Sequence, residues 1–386
     1  MSNAVSKYEE SELIVIRERS RFIEMLGNAV SAIDKSPQVP ILSCVLVEIE
    51  ENRITMTGSD STSTIRESDV GVCHFFGGVP TFVAPGHLFL DAMKKLPAGE
   101  IEFDVLPDQR LTIQVRTGKK KPVTLVLNLS KVDEYPKYVH QSLNMQLTVK
   151  SGLFSTFLKA TMYAAEKKES ILSGINFEVG GNAIKFVATN RHRLAMVTYG
   201  LEDSVEPLNN MVIPMNAAKE MKRLADLNEQ DIIIEYSENM VQLKIDHIVY
   251  QTKLLSGTYP DTSKIIPPSF TTEIMIKRDE LLEAFTRANI CSENAITLAI
   301  KDKTFLVRVK SDGPQYEEEL AIQTKEGKDV VIGADVTYLV DMLKVFSTDQ
   351  VLLKFNGPLS PIVIKPKNLN DMDSLAIVLP VRITGE

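Results

Sequence analysis

Residues 41–49 read Ile41-Leu42-Ser43-Cys44-Val45-Leu46-Val47-Glu48-Ile49, and residues 171–179 read Ile171-Leu172-Ser173-Gly174-Ile175-Asn176-Phe177-Glu178-Val179. The two stretches align without a gap at an offset of 130 residues. The match runs on: Asn52 falls on Asn182, Ile54 on Ile184, and Gly58-Ser59-Asp60 on Ala188-Thr189-Asn190. A weaker third copy runs from Leu298-Ala299-Ile300 through Phe305-Leu306-Val307-Arg308-Val309 to Ser311-Asp312. Self-similarity at a fixed period marks a chain built from repeated structural units.

Each copy follows a segment whose apolar residues recur at helical spacing: Phe22, Leu26, Ala29 and Ile33; Phe154, Phe157, Leu158 and Ala165; Leu281, Leu282, Phe285 and Ala288. A second helix recurs at 91–96, 219–224 and 340–345. Strand-like alternation is plain at Ile101, Phe103 and Val105, at Leu111, Ile113 and Val115, and at Val241, Leu243 and Ile245. The repeats also end alike, with Ser130 leading to Tyr135-Pro136 and Ser256 to Tyr259-Pro260. The pattern predicts an α+β chain of three similar domains, 1–142, 143–269 and 270–386, each with two helices and antiparallel sheets. The helices are expected within 17–34, 85–96, 151–169, 214–226, 276–289 and 334–345.

Composition agrees and narrows the function. A chain of 386 residues exceeds one ordinary domain, and 44% hydrophobic with 24% charged residues is a globular balance. Cys44, Cys73 and Cys291 are an odd number and far apart, which favours neither a disulfide framework nor a thiolate metal site and points to a reducing, cytoplasmic home. No apolar run of membrane-spanning length and no signal segment is evident, so a soluble protein is expected. The net charge of −8 argues against a simple basic nucleic-acid coat but leaves room for a locally basic face.

Catalytic signatures are wanting. Neither phosphate-cradling glycine motif occurs, which excludes the usual ATPases and dinucleotide enzymes. The five histidines are scattered, with no metal-binding spacing, so neither metal nor cofactor is expected. His192 lies between Arg191 and Arg193, with neither a nucleophile nor a carboxylate beside it in sequence to make it a general base. Binding or structural use is favoured over the one enzymatic alternative, a hydrolase using His192.

Several segments together resemble the bacterial replicative sliding clamps, the beta subunits of DNA polymerase III, over nearly the whole chain. The resemblance is carried by Pro40-Ile41-Leu42 with Gly58-Ser59-Asp60, by Ala188-Thr189-Asn190-Arg191-His192-Arg193-Leu194, by Gly257-Thr258-Tyr259-Pro260-Asp261 with Ile266-Pro267, and by Leu379-Pro380-Val381-Arg382. It implies a head-to-tail homodimer closed into a ring around double-stranded DNA, with the helices lining the hole and the sheets outside. It also implies a non-enzymatic processivity factor. Such a ring needs a separate clamp loader and tethers the DNA polymerase III catalytic subunit, repair proteins and other carriers of a short clamp motif.

Sliding requires attraction to phosphates without base readout, so charge should separate by surface. The six expected helical stretches carry 15 Lys+Arg and 13 Asp+Glu, net +2, leaving −10 for the remainder. The resemblance points to Arg17, Arg21, Lys94, Lys95, Lys159, Lys167, Lys168, Lys219, Lys222 and Arg223 as DNA-facing. Ser36 before Pro37, Met215-Asn216 after Pro214, and Glu166 depart from the basic or polar family pattern. These departures fit a clamp paralogue with a weaker grip on DNA. For the peptide-binding groove the resemblance implies Leu172, Thr189, Arg191, His192, Arg193 and Leu194, with Pro260, Lys264 and Ile265, on one wall. Ile377, Leu379, Pro380, Val381 and Arg382 would form the other. Arg191 replaces a small residue and Lys264 an arginine of the family pattern, and Thr384-Gly385-Glu386 extends past the usual end.

Overall fold

Helix α1 (Arg19–Ser31) places Phe22, Met25, Leu26 and Ala29, spaced i, i+3, i+4 and i+7, on one fully buried face. The same logic gives α2 (Gly86–Lys95), α3 (Ser151–Met162), α4 (Met215–Asp226), α5 (Arg278–Cys291) and α6 (Val336–Val345). Helix α6 opens on Asp335, whose side chain accepts the backbone N–H of Thr337 and Tyr338 and so satisfies two donors of the first turn. These are the six α-helices among the described residues, and they pack as neighbours in sequence: α1 with α2, α3 with α4, α5 with α6. In this computed structural model the described residues are 13–34, 37–77, 80–118, 120–137, 143, 145–292, 295–310, 313–367 and 372–383. Ser36, Ser311-Asp312, Thr384–Glu386 and the expected boundary at 142 lie outside or at the edge of that set.

One expected helix is too long. The stretch 151–169 stops being helical at Met162. Beyond it the Glu166 carboxylate accepts the backbone N–H of Lys167 (2.7 Å) and Lys168 (3.3 Å), and the Glu166 N–H donates to Leu172 O (2.9 Å). A side chain that satisfies nearby backbone donors offers the chain a turn in place of another helical one. Lys167 and Lys168 therefore belong to a loop.

The chain divides into two compact units, Met1–Val149 with Gln230–Lys253, and Lys150–Glu229 with Leu254–Glu386. The first unit holds a five-stranded sheet in the order Cys73–Phe75, Ile14–Ile16, Glu100–Leu106, Arg110–Arg116, Val123–Asn128. It also holds an eight-stranded sheet in the order Met145–Lys150, Asp231–Tyr236, Met240–Ile245, Ile248–Lys253, Ser63–Val70, Arg53–Ser59, Cys44–Glu50, Thr81–Pro85. Strands of the second repeat thus continue a sheet of the first, with Gln251 opposite Thr64.

The second unit repeats the plan. Its seven-stranded sheet runs Ile175–Thr189, Arg193–Ile213, Met372–Val378, Ile362–Pro366, Gln350–Phe355, Thr272–Lys277, Thr324–Gly327. Its five-stranded sheet runs Tyr316–Ala321, Thr304–Val309, Ala295–Lys301, Val330–Asp335, Pro380–Val381. The helices cover one face of these antiparallel sheets. In the first unit Phe22, Phe89 and Phe103 meet edge-on or tilted with ring centroids 5.5–5.8 Å apart, filling the space between α1, α2 and the sheet.

The second repeat's Ala188 has Gly58 as its counterpart for a steric reason. A Cβ on Gly58 would lie 1.9 Å from the Ala29 carbonyl oxygen, so α1 can approach the strand Arg53–Ser59 only over a glycine. Gly58→Ala should lower stability by about 1–3 kcal/mol. It would appear as a lower urea midpoint at unchanged slope, and an unshifted midpoint would refute the close approach.

Candidate functional site

The hairpin between the strands Ile175–Thr189 and Arg193–Ile213 is fixed by its own polar side chains. Asn190 Oδ1 accepts the backbone N–H of His192 (3.1 Å) and Arg193 (2.9 Å), and Thr189 Oγ1 donates to Arg193 O (2.6 Å). Arg191 takes the left-handed conformation that the turn demands, at φ +74°. This exposes the Arg191 and His192 side chains and turns Leu194 under the sheet.

Leu194 pairs across to Ile377, and the two join Leu172, Val187, Met196, Val212, Tyr259, Val363 and Leu375 in an apolar cluster separate from the helix-side core. Ile265, at the end of the short 3-10 turn Ser263–Ile265, packs against it half-buried, while Pro260 and Lys264 are exposed. Tyr259 reaches the cluster because Asn210 holds its loop, donating from Nδ2 to Gly257 O (2.7 Å) and accepting the Tyr259 N–H (2.5 Å). Burial pushes the Tyr259 hydroxyl pKa upward.

The carboxyl-terminal strand links two sheets. Met372–Val378 lies in the seven-stranded sheet, the Leu379 N–H donates to His192 O (2.9 Å), and Pro380–Val381 then adds to the five-stranded sheet opposite Ala334 and Gly333. Leu379 and Pro380 are half-buried, Val381 and Arg382 exposed. The structure thus gathers Leu172, Leu194, Ile265 and Ile377 in one cluster, with Thr189 opposite Leu194, Leu379 bonded to His192 and Pro380 following it, and with Arg191, His192, Pro260, Lys264, Val381 and Arg382 as exposed neighbours in sequence. Leu172, Leu194 and Ile377, at 3%, 2% and 1% exposure, are buried in the cluster.

Arg193, expected on one wall of the groove, is turned inward. It is only 6% exposed, and its Nη1 donates to Asp341 Oδ2 of α6 (2.7 Å). Its guanidinium lies 4.6 Å from the ring centroid of Tyr338 and 5.5 Å from that of Tyr163. Burial raises the pKa of the Tyr163 hydroxyl. Arg193 therefore pins the hairpin to α6. Sequence reasoning missed Tyr163, Tyr338 and Asp341 because they are 30 to 148 residues away along the chain.

The expected DNA-facing cations separate into three groups. Arg17, Lys94, Lys95, Lys159 and Lys219 are exposed and have no ion-pair partner among the described residues, and the last four stand on helices. Arg21, by contrast, binds Glu67 Oε1 (2.6 Å), Asp69 Oδ2 (2.7 Å) and Glu24 Oε2 (3.1 Å). Glu67 is fully buried and its pKa is raised by desolvation, against the lowering effect of Asn28 and Arg21. Lys222 pairs with Asp226 (2.5 Å) and Arg223 with Glu220 (2.6 Å). Lys167 and Lys168 form the third group, in the loop whose Glu166 is held below the usual carboxylate range by the backbone N–H of Lys168 and Lys167. The six observed helices hold 11 Lys+Arg and 8 Asp+Glu, net +3. Met215 opens α4 half-buried and Asn216 is exposed.

No group of three or more His, Cys, Asp or Glu among the described residues is placed to hold a metal ion, and no described helix is long and apolar enough to cross a membrane. Replacing Arg193 should test the hairpin anchor. Arg193→Met removes a buried charge-assisted hydrogen bond and should lower stability by about 1.5–3 kcal/mol in urea unfolding, and a change within error would refute the anchor.

Models of the DNA polymerase III beta subunit match in chain order, the N-terminal domain over 13–139, the central domain over 148–261 and the C-terminal domain over 263–382. The chain is 29% identical over 380 residues to the beta sliding clamp of Staphylococcus epidermidis and 29% identical over 384 residues to that of Staphylococcus aureus, in each case over 95% of this chain and 98% of the relative. The crystal structure of the DNA polymerase sliding clamp from Bacillus subtilis superposes with a TM-score of 0.89 at 25% identity, over 96% of this chain and 99% of that one. The beta subunit from DNA polymerase of Streptococcus pyogenes gives 0.88 at 25% identity, over 96% and 100%. With all three domain models in order along most of its length, the chain belongs to the DNA polymerase III beta subunit family.

Proposed function

We propose that the chain works as a DNA sliding clamp, a non-enzymatic processivity factor that encircles duplex DNA and tethers the replicative polymerase to it. The observation that carries this reading is the succession of three clamp domains, each with a pair of helices covering one face of antiparallel sheet. The domain limits we assign are 1–142, 143–269 and 270–386, and the cytoplasm is its proposed home, with no cofactor.

Two exposed edges support a head-to-tail homodimer. One five-stranded sheet ends on Val123–Asn128, with Val123 and Val126 42% and 49% exposed and Lys120-Lys121 just before it. The other ends on Tyr316–Ala321, which carries Glu317-Glu318-Glu319. A bare edge is a template for another strand, and basic against acidic flanks favours unlike edges over like ones. Such an interface between copies is heterologous, and a heterologous interface whose rotation closes makes a ring.

Inside that ring Arg17, Lys94, Lys95, Lys159 and Lys219 would meet phosphates without reading bases. Outside it, the cluster floored by Leu172, Leu194 and Ile377 would take the apolar and glutamine anchors of the polymerase III catalytic subunit, the clamp loader and other clamp-motif proteins. Topological tethering raises the local concentration of whatever is docked. The ion pairs of Arg21, Lys222 and Arg223 favour a second reading, a paralogue with a weaker hold on DNA that serves mainly as a scaffold. A hydrolase is disfavoured because among the described residues the His192 ring has no partner to orient it.

Loading onto a nicked circular duplex with a clamp loader tests the ring. Retention on the circle and loss after linearisation are expected, whereas a monomer in solution that falls off both would overturn the reading. Among loaded clamps, Lys94→Ala, Lys159→Ala and Lys219→Ala should each reduce the slope of log affinity against log salt by about 1, while Lys222→Ala should reduce it less. A slope near zero in the parent chain would favour the paralogue. His192→Ala should weaken binding of a clamp-motif peptide and slow loading, since the loader would use the same groove, without shortening the retention of rings already loaded.

A further inference from the structure

The first repeat carries the hairpin construction of the groove a second time. Ser61 has φ +77°, beside +74° for Arg191. Asp60 Oδ1 accepts the backbone N–H of Thr62 (2.9 Å) and Ser63 (2.6 Å), as Asn190 does for His192 and Arg193. Ser59 Oγ donates to Ser63 O (2.9 Å), as Thr189 Oγ1 does to Arg193 O. Thr62 O accepts the Lys253 N–H at 3.0 Å, where His192 O accepts that of Leu379 at 2.9 Å. A short 3-10 turn, Pro40–Ser43, leads into the strand Cys44–Glu50 as Ile171–Ser173 leads into Ile175–Thr189, and Tyr135 is buried in a later loop of its repeat as Tyr259 is. The backbone scaffold is therefore duplicated.

What differs is one row of side chains across four strands. In the second repeat the register aligns Thr189, Leu194, Ile377 and Val363. In the first it aligns Ser59, Thr64, Gln251 and Gln242. Three side chains at most 2% exposed and wholly apolar are thus replaced by a threonine and two glutamines. Thr64 is hydrogen-bonded to Ser59 Oγ (2.9 Å), and Oε1 of Gln251 and of Gln242 has no hydrogen-bond partner among the described residues. In the adjoining row Arg66 stands where the second repeat has Met196. Thr64 and Gln251 are half-buried and Gln242 lies fully buried beneath, so an apolar anchor laid on the row would cover a hydroxyl and an amide side chain and return no hydrogen bond.

We propose that this row limits each chain to one peptide groove: Thr64 and Gln251 close the first repeat's copy of the site to apolar anchors, although its backbone is formed. The proposal rests on the groove reading above and names the residues that decide its stoichiometry. Calorimetric titration of the full chain with a short synthetic peptide bearing glutamine and apolar anchors tests it. The parent chain should bind one peptide, and Thr64→Leu with Gln251→Ile should bind two. Two peptides on the parent chain, or one on the folded double variant, would overturn the proposal. No binding to the parent chain would instead sink the groove reading itself. The reverse exchange, Leu194→Thr with Ile377→Gln, should abolish binding at concentrations that saturate the parent while a cooperative urea transition shows the variant still folded. Undiminished binding by that variant would also overturn the proposal.

Discussion

Each helix pair can bury only one face. The apolar stripe of α1 or α5 is consumed against its sheet, so the opposite face must meet water or a ligand, and its composition is free to serve function. That is why charge is divided as it is: the six helices are net positive while the chain as a whole is net negative at −8. A lining that attracts phosphates without discriminating bases needs no special residue, only cations on faces the core does not use.

Ion pairing then decides which of those cations are available. Arg21 looks in sequence like any exposed helix arginine, yet Glu67 and Asp69, on the strand Ser63–Val70, converge on its guanidinium. Glu67 is fully buried, and removing its partner would leave an uncompensated carboxylate inside the sheet. Arg21 therefore serves the fold before it can serve DNA. Lys94, Lys159 and Lys219 carry no such obligation among the described residues.

The proposed groove would depend on the same economy of faces on the other side of the sheet. Leu194 and Ile377 lie opposite each other on neighbouring strands, and the loop carrying Tyr259 and Ile265 packs on their cluster. The carboxyl-terminal segment crosses from one sheet to the next directly beside the hairpin. A docked peptide would thus lie against backbone already held by ladder hydrogen bonds, and little ordering entropy would remain to oppose binding.

The sequence alone determined the repeats, through the match of stretches 130 residues apart, and the six helices, through apolar spacing that each segment carries by itself, while the resemblance to a family singled out 188–194. The tertiary structure decided the rest. Helix α3 ends at Met162 because Glu166 finds backbone donors, a local competition that periodicity does not register. Arg193 turned inward because Tyr163, Tyr338 and Asp341 meet around it from distant elements. The contrast between Leu194 with Ile377 and Thr64 with Gln251 exists only once strands far apart in the chain fall into register, since cross-strand neighbours are set by pairing and not by proximity in sequence.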